Sequence, residues 1–350
     1  MHKNFDHNGF LFVAIFIIVV VFGIQMAKQV GEALAQIFPE NRISFFQDMR
    51  LASVAPLEIQ QESAKDTEIR LGFVGDIMLD RGVKSKILLH GGSYDFPFQY
   101  ASGTLRSYDI LFGNLEGPIS DDGTNRGSIY SFRMDSKAAT ALKDAGFDIL
   151  SVANNHIGDW GEVAMTDTFA RLKNAGIVSV GGGTNAKDAH DPKILEVRGT
   201  KIAYLAYSQF GKGYTEAGGS TPGIAIIDKD SIMRDVSYAK SVADIIVVSF
   251  HFGDEYNDMP NEFQKQISHL AIDAGADLAV GHHPHVIEPI EEYKGKTIAY
   301  SLGNFVFDQA FSSKTRTGIM LSVSLKGKSI ERVSTTTIFI NSNFQPQLAK

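Results

Sequence analysis

The sequence predicts one α/β domain with mixed sheets, on the basis of three observations. Strand and helix patterns alternate from residue 69 to residue 280, and polar clusters stand where the strands end. The last part, from residue 296 to 340, is rich in β patterns and has no intervening helix. Alternation indicates a sheet covered by helices, and the β-rich end adds further strands to it.

Strand signals recur along this region. Ile69, Leu71 and Phe73 alternate with other residues and lead into Gly75-Asp76, which is the pattern of a strand. The apolar run at 244–250 is typical of a strand buried on both faces. The remaining predicted strands are 109–115, 147–153 and 276–280, a hairpin at 194–207 around Arg198-Gly199-Thr200, and the β-rich segments 296–307 and 318–340 with a turn at 326–328.

Helix signals fall between the strands. The segment 136–145 has Ser136 as a capping residue and Gly146 as a stop, and the segment 162–175 ends before Gly176. The other predicted helices are 231–243 and 262–274.

Composition excludes several classes of function. The 350 residues are 44% hydrophobic and 21% charged, as in an ordinary globular protein, and the formal charge is -7. That charge argues against nucleic-acid binding by bulk electrostatics, so we expect no nucleic-acid partner, and an anionic substrate would need local cations. The chain has no cysteine, which excludes disulfides, thiolate metal ligands and a cysteine nucleophile.

The N-terminal segment predicts membrane attachment. Residues 9–27 carry no charge, and 19 residues span about 28 Å as a helix, close to the hydrocarbon thickness of a bilayer. We interpret 9–27 as a transmembrane helix or signal anchor after a short tail at 1–8. A cleaved signal peptide is the alternative, since Ala33-Leu34-Ala35 resembles a cleavage site, although it lies well past the apolar run.

The rest of the chain divides into three parts. Residues 28–67 have no sustained apolar period and are predicted to be a spacer, 68–340 form the domain, and 341–350 form a tail. Lysine and arginine counts on the two sides of the apolar run do not favour an inside N-terminus. A single-pass protein of the cell membrane with an extracytoplasmic C-terminal domain is expected from the segment's position and from the resemblance described below.

Polar clusters follow five predicted strands, and the carboxyl ends of strands in an open α/β sheet converge on the ligand crevice. Aspartate, glutamate, asparagine and histidine together suit Mn, Zn, Fe or Mg and not a thiophilic metal. Any one cluster alone is as easily a turn or a packed interior group, except GHHPHV, whose three histidines are hard to justify as packing. The clusters are Asp76; Asn114 and Glu116; Asn154, Asn155 and His156; His251; and His282, His283 and His285.

In order and spacing, these motifs resemble the CapA family of poly-γ-glutamate capsule synthesis proteins, a branch of the calcineurin-like metallophosphoesterase superfamily. The likeness covers about residues 69 to 310. It is carried by GDIML at 75–79, GNLEGPIS at 113–120, SVANNHIGDWG at 151–161, SFHFGDEYN at 249–257, GHHPHVIEPIE at 281–291 and SLGNFVFDQ at 301–309.

The resemblance implies a layered α/β sandwich of the metallo-dependent phosphatase type and a site with two divalent metal ions. It implies His156 as the uncoordinated histidine that donates a proton or stabilises developing charge. His282 directly follows Gly281 and competes for a ligand role. The metal ligands implied are Asp76, Glu116 in the bridging position, Asn155, His251, His283 and His285.

Further residues are candidates for positioning ligands or contacting substrate. Arg133 is an anion contact or a surface arginine, and Asn304 closes the site or forms a turn. Asp159 is expected to orient His156. The set comprises Asn114, Arg133, Asp159, Glu255, His282 and Asn304.

The sequence departs from the wider superfamily at Met78, where the Asp-x-His motif has a histidine. One cation site therefore lacks a nitrogen ligand, which casts doubt on ordinary phosphatase activity. Three functions follow as hypotheses. The first is a membrane-anchored, metal-dependent hydrolase or transferase of an anionic envelope polymer such as poly-γ-glutamate. The second is a phosphomonoesterase or phosphodiesterase, and the third is a non-catalytic assembly or export component that partners the subunits of a membrane-bound polymer synthase.

Overall fold

The computed structural model describes residues 68–349. The tail at 1–8, the predicted membrane helix at 9–27 and the spacer at 28–67 lie outside this range. Between residues 68 and 349, no helix is both long enough and apolar enough to cross a bilayer.

The strands and helices alternate much as the sequence predicts. In chain order the strands are β1 (Ile69–Ile77), β2 (Ile110–Leu115), β3 (Ile149–Ser151), β4 (Val178–Val180), β5 (Gly182–Gly183), β6 (Lys193–Val197), β7 (Thr200–Ser208), β8 (Gly223–Ile224), β9 (Ile245–His251), β10 (Leu278–His282), β11 (Ile290–Tyr293), β12 (Lys296–Ala299), β13 (Asn304–Val306), β14 (Thr317–Lys326), β15 (Ser329–Ile340) and β16 (Pro346–Leu348). The helices are α1 (Arg81–Leu89), α2 (Ser102–Leu105), α3 (Ala138–Ala145), α4 (Gly161–Asn174), α5 (Ala186–His190), α6 (Lys229–Val242) and α7 (Glu262–Ala274), with a 3-10 turn at Phe96–Phe98.

Two mixed sheets form the frame of the domain. The first has the order β16-β15-β14-β1-β2-β3-β4, and its β1 also pairs with β13. In it, β1 to β4 and β13 run parallel while β14 to β16 are antiparallel. The second has the order β11-β12-β10-β9-β7-β6, parallel in its centre with antiparallel edge strands. Mixed α/β sheets are therefore confirmed.

The two sheets share one hydrophobic core. Alternate residues of β7 point to opposite faces, as a strand requires. Tyr204 belongs to the core between the sheets, where its ring stacks on Phe112 of β2 at 5.9 Å. Leu205 belongs to a second core with Val236 of α6 and Ile267 of α7. The first sheet thus packs on the second, and α6 and α7 cover the other face of the second sheet.

The structure contains elements that the sequence analysis does not predict, such as α1, and it also differs from two predicted boundaries. The sequence predicts Ser136 as a helix cap, whereas α3 begins at Ala138 and no side chain caps it. A turn in which the Asp135 carboxylate accepts from the Lys137 N–H precedes the helix, and it displaces the start by two residues. Gly146 ends the helix with φ of +115°, a conformation that glycine adopts freely.

The end of the chain is the second difference. The sequence predicts a tail from residue 341, but β16 pairs with β15 in antiparallel register, as Ile340 lies opposite Pro346. The sheet therefore extends to residue 348. A proline is tolerated here because β16 is an edge strand.

Candidate metal centre

The site lies where strands of both sheets end. Asp76 of β1 is in register with Asn114 of β2, and His251 of β9 with His282 of β10. The Asn114 amide joins the two sheets, since its Nδ2 lies 2.8 Å from Asp76 Oδ1 and 3.3 Å from His251 Nδ1. Polar groups that are far apart in sequence are thereby held in one buried cluster.

Two glycines allow the backbone to come close at this point. A Cβ on Gly75 would lie 1.8 Å from the carbonyl oxygen of Gly303, and one on Gly281 would lie 1.8 Å from that of Tyr300. Only glycine permits such an approach. The Asp76 N–H consequently donates to the Gly303 carbonyl at 3.1 Å, which brings Asn304 beside the aspartate.

Asp76, Glu116 and His285 form one group of possible ligands. His285 Nδ1 lies 3.3 Å from Asp76 Oδ2, and its Nε2 lies 3.5 Å from Glu116 Oε1. The three ligand atoms lie within 4.8 Å of one another, and all three residues are buried. This spacing is suited to a single cation between two carboxylates and an imidazole.

The electrostatics of this group favour a positive charge. Burial pushes the pKa of Asp76 up, but contacts with His282 and His285 outweigh it and hold the pKa well below its usual range. Burial raises the pKa of Glu116 well above its usual range despite the opposing charge of His285. Burial acts against the charged form of His285, yet the carboxylates of Glu116 and Asp76 raise its pKa to about 9. A bound cation would replace the proton that this arrangement holds.

Asn155, His251 and His283 form a second group beside the first. The Asn155 Oδ1 atom lies 2.7 Å from His251 Nε2, and the rings of His251 and His283 are 4.8 Å apart. Burial lowers the pKa of His251 well below its usual range, and burial with the neighbouring His285 lowers that of His283 to about 3. Both imidazoles are therefore neutral at pH 7, which is the form that binds metals.

Unsatisfied buried atoms show that these residues fit a metal. Within residues 68–349, Glu116 Oε1, His283 Nδ1 and both ring nitrogens of His282 are buried without a hydrogen-bond partner. Leaving such groups unpaired costs free energy. A hard or borderline cation would satisfy oxygen and nitrogen atoms of this kind.

His156 lies at the edge of the same cluster. Its Nδ1 is 2.8 Å from Asp159 Oδ2, its Nε2 is 3.9 Å from Glu116 Oε1, and its ring lies 4.1 Å from that of Phe132. The Asp159 carboxylate also accepts from the Phe132 N–H. The hydrogen bond to Asp159 places the proton on Nδ1 and leaves Nε2 free to exchange a proton with a bound group.

Asn154 belongs to one of the polar clusters of the sequence, although no role is predicted for it, and the structure places it in the site. It is fully buried, and its Nδ2 donates to Asn114 Oδ1 at 3.2 Å and to the Leu115 carbonyl at 2.8 Å. Its own Oδ1 accepts from the His156 N–H. The amide thus fixes both the β2 end and the histidine loop; its place beside Asn155 and His156 is the signal in the sequence that points to it.

The position of the missing histidine is filled by an inert side chain. Met78 is buried, and its sulfur accepts from the Asp80 N–H at 3.1 Å. His282, on the opposite strand end, lies with Nδ1 3.5 Å from Asp76 Oδ1. His282 therefore places a ring nitrogen of the second sheet beside Asp76.

Of the remaining candidate residues, one lies inside the site, one lies at its mouth and one lies away from it. Asn304 accepts from His285 Nδ1 at 3.0 Å, inside the site. Glu255 is exposed and lines the mouth above His156. Arg133 is not brought to the site: its guanidinium stacks on Trp160 at 3.7 Å and donates to the Asp121 carbonyl.

Comparison with known proteins gives independent evidence for the family of this chain. A model of the family described as "Bacterial capsule synthesis protein PGA_cap" matches residues 70–309. The chain is 38% identical over 280 residues to the PGA biosynthesis protein CapA of Bacillus subtilis, covering 79% of this chain and 73% of that one. It is 33% identical over 285 residues to the capsule biosynthesis protein CapA of Bacillus anthracis, covering 79% and 68%.

Among solved structures, the chain is similar to the calcineurin-like phosphoesterase YfkN of Bacillus subtilis. It is 13% identical, with a TM-score of 0.45, and the match covers 81% of this chain and 93% of that chain. A likeness at this level does not define an activity.

Proposed function

Because the chain belongs to the bacterial capsule synthesis protein family PGA_cap, we propose that it is a membrane-anchored, metal-dependent hydrolase or transferase acting on an anionic envelope polymer. Poly-γ-glutamate is the polymer that the name of the Bacillus subtilis relative suggests. The observation that carries the proposal is the buried cluster of Asp76, Glu116 and His285, whose ligand atoms converge with His156 at its edge.

Two divalent cations are proposed, one for each group of ligands. Asp76, Glu116 and His285 would hold the first, and Asn155 and His251 with His283 the second. When bound, such cations would polarise the bond under attack and lower the pKa of a bound water. They also supply the local positive charge that a chain of net charge -7 needs to attract a polyanion.

The chain's own residues would handle the proton. Asp159 accepts a hydrogen bond from His156 Nδ1, so Nε2 points toward Glu116, and the imidazolium form of His156 can donate its Nε2 proton to the departing group. Phe132 packs against the imidazole and restricts its orientation and its access to water. His156 is thus the proposed acid, and Asp159 its positioning residue.

The location and partners follow as part of the same proposal. The apolar segment 9–27 would anchor the chain as a single-pass protein with residues 68–349 on the extracytoplasmic side. There the domain would meet a polymer leaving the membrane and subunits of a membrane-bound synthase. This placement is consistent with a chain that has no cysteine to misoxidise outside the cell.

The test is turnover by the metal-loaded full chain. Poly-γ-glutamate is incubated with wild type, with His156→Gln and with the control His269→Gln, whose histidine pairs with Glu291 outside the site. We expect new polymer ends with wild type and with the control but not with His156→Gln. Turnover of an aryl phosphate alone would favour a phosphoesterase. No turnover of either compound by a metal-loaded protein would contradict the proposal and favour an assembly component.

A further inference from the structure

A small cavity opens directly over the candidate centre. It has a volume of about 220 Å³ and reaches His156 and His285 at its floor. Aromatic side chains form much of its wall: Phe132, Tyr256 and Phe311. Pockets for drug-sized ligands are larger, roughly 300–1,000 Å³, so this one has room for a single amino-acid-sized group of a polymer.

Arg81 is held rigidly at the rim of this cavity. Its Nε donates to Asp308 Oδ2 at 3.0 Å, and its Nη2 donates to the other carboxylate oxygen. Its guanidinium also lies over the Phe132 ring, 5.0 Å from the centroid. Within residues 68–349, the remaining nitrogen Nη1 makes no hydrogen bond. The side chain is therefore pre-oriented, with one edge left for a ligand.

The backbone of Arg81 is strained in support of this geometry. Its φ is +49°, a left-handed conformation that costs a non-glycine residue of the order of 1 kcal/mol. The Asp308 carboxylate also accepts from the Gly82 N–H at 2.9 Å and holds the turn in place. Strain retained beside a candidate site is consistent with a binding role.

The charges around the rim are mixed. Asp308 is neutralised by Arg81, whereas Glu255, which also lines the cavity, has an exposed carboxylate. Among the described residues that line the cavity, Arg81 is the one arginine or lysine. An anionic group entering the mouth would therefore find its fixed hydrogen-bond donor at Arg81, and the aromatic wall would contact its apolar stem.

We propose that Arg81 forms an oxyanion-binding subsite that holds a carboxylate or phosphate of the substrate beside the group under attack. This inference rests on the proposed function, and it adds a residue that binds a negatively charged group of the substrate. In poly-γ-glutamate the oxyanion would be the α-carboxylate next to the amide that reacts. Arg81 would align the chain, and Asp308 would act as the positioning residue that orients its guanidinium.

The test measures binding, not turnover. The Mn²⁺-loaded full chain is titrated by calorimetry with γ-glutamylglutamate, with the same dipeptide carrying amides in place of its α-carboxylates, and with inorganic phosphate. For Arg81→Met we expect at least a tenfold loss of affinity for the dipeptide and less than a twofold change for the amide form. Arg70→Met is the matched control, because Arg70 also lies over an aromatic ring, Tyr108, and does not line the cavity.

The possible results separate the sources of the oxyanion. A loss confined to phosphate would support the subsite and assign it to phosphate. Equal losses for the dipeptide and its amide form, no loss, or a wild type that binds none of the three probes would overturn the inference. If Arg81→Met does not fold, Arg81→Lys is tested by the same criteria, since lysine keeps the charge but not the planar fork. Failure of the proposed function would appear separately, as absent turnover in a protein that still binds the dipeptide.

Discussion

His285 and Asp76 approach each other from different sheets, with His285 Nδ1 at 3.3 Å from Asp76 Oδ2. The same nitrogen lies 3.0 Å from Asn304 Oδ1, and Asn304 is in register with Asp76 on the neighbouring strand. The loop that carries His285 is therefore fixed by two adjacent strands of the first sheet. At His285 itself φ is +57°, so its contacts must offset a strained backbone.

Asn304 should control metal affinity through His285. Removing its carbonyl oxygen in Asn304→Ala frees the imidazole to rotate, and loss of such a supporting contact typically weakens metal binding about 10- to 100-fold. Competition with a chromophoric chelator measures the change. Asn125→Ala, in an exposed turn, is the control. Unchanged affinity in Asn304→Ala would mean that His285 is held by other contacts.

His156→Gln should reduce turnover by about 10²- to 10⁴-fold while the metal content stays the same, because a proton donor is lost and no proposed ligand is removed. Steady-state rates and metal analysis on one preparation check both parts. Asp159→Asn should cause a smaller loss and shift the pH profile, since the histidine loses its negative partner. A His156→Gln variant that lost its metal would instead make His156 a ligand.

Gly75→Ala should destabilise the fold. Its Cβ would lie 1.8 Å from the Gly303 carbonyl oxygen, and overpacking a tight contact costs about 1–3 kcal/mol or more. Gly103→Ala is the control, because Gly103 is exposed in α2 and nothing lies within 4 Å of its added Cβ. That change should stabilise the protein by about 0.5–1 kcal/mol. Chemical denaturation measures the free energy of unfolding of both variants. If the two substitutions changed it equally, the close approach of Gly75 to the Gly303 carbonyl would be contradicted.

The free energy of unfolding should decrease as the pH rises because of Glu288. Burial raises its pKa to about 7, even though Gln264 donates a hydrogen bond to it at 2.7 Å. The unfolded chain releases this proton near pH 4.3, so between that pH and about 7 the folded state binds more protons and its stability declines.

Glu288→Gln removes this decline, which amounts to at most about 4 kcal/mol. Its free energy of unfolding relative to wild type should therefore rise between pH 5 and pH 8. Glu292→Gln, at an exposed position of β11, should follow wild type at both values. Parallel curves for wild type and Glu288→Gln would show that Glu288 does not titrate in this range.

Much of the frame is predictable because it depends on local patterns. Gly75-Asp76 ends an alternating run and the DIIVVSF run leads to His251, so polar residues at the carboxyl ends of parallel strands were expected to meet. The structure brings Asp76, Asn114 and His251 together. The resemblance to capsule synthesis proteins is confirmed by the family match and by the Bacillus subtilis relative.

The parts that sequence patterns do not reveal depend on long-range contacts. The sequence around Arg81 does not distinguish it from a surface arginine. Its orientation depends on Asp308, which is far away in the sequence. Asn154 is one of several turn-forming residues until its amide is seen to bridge β2 and the histidine loop. Arg133 is predicted to be an anion contact or a surface arginine, and its position depends on the stacking of its guanidinium on the ring of Trp160.

Metal content tests the central claim most directly. The full chain is purified in detergent without chelators, and bound Mn, Fe, Zn and Mg are counted for wild type, Asp76→Ala and His251→Ala, with His269→Gln as the control. The account predicts about two ions in wild type and in the control, and a clear loss in both site variants. A folded wild type that binds no divalent ion, even when Mn²⁺ or Zn²⁺ is added, would contradict it.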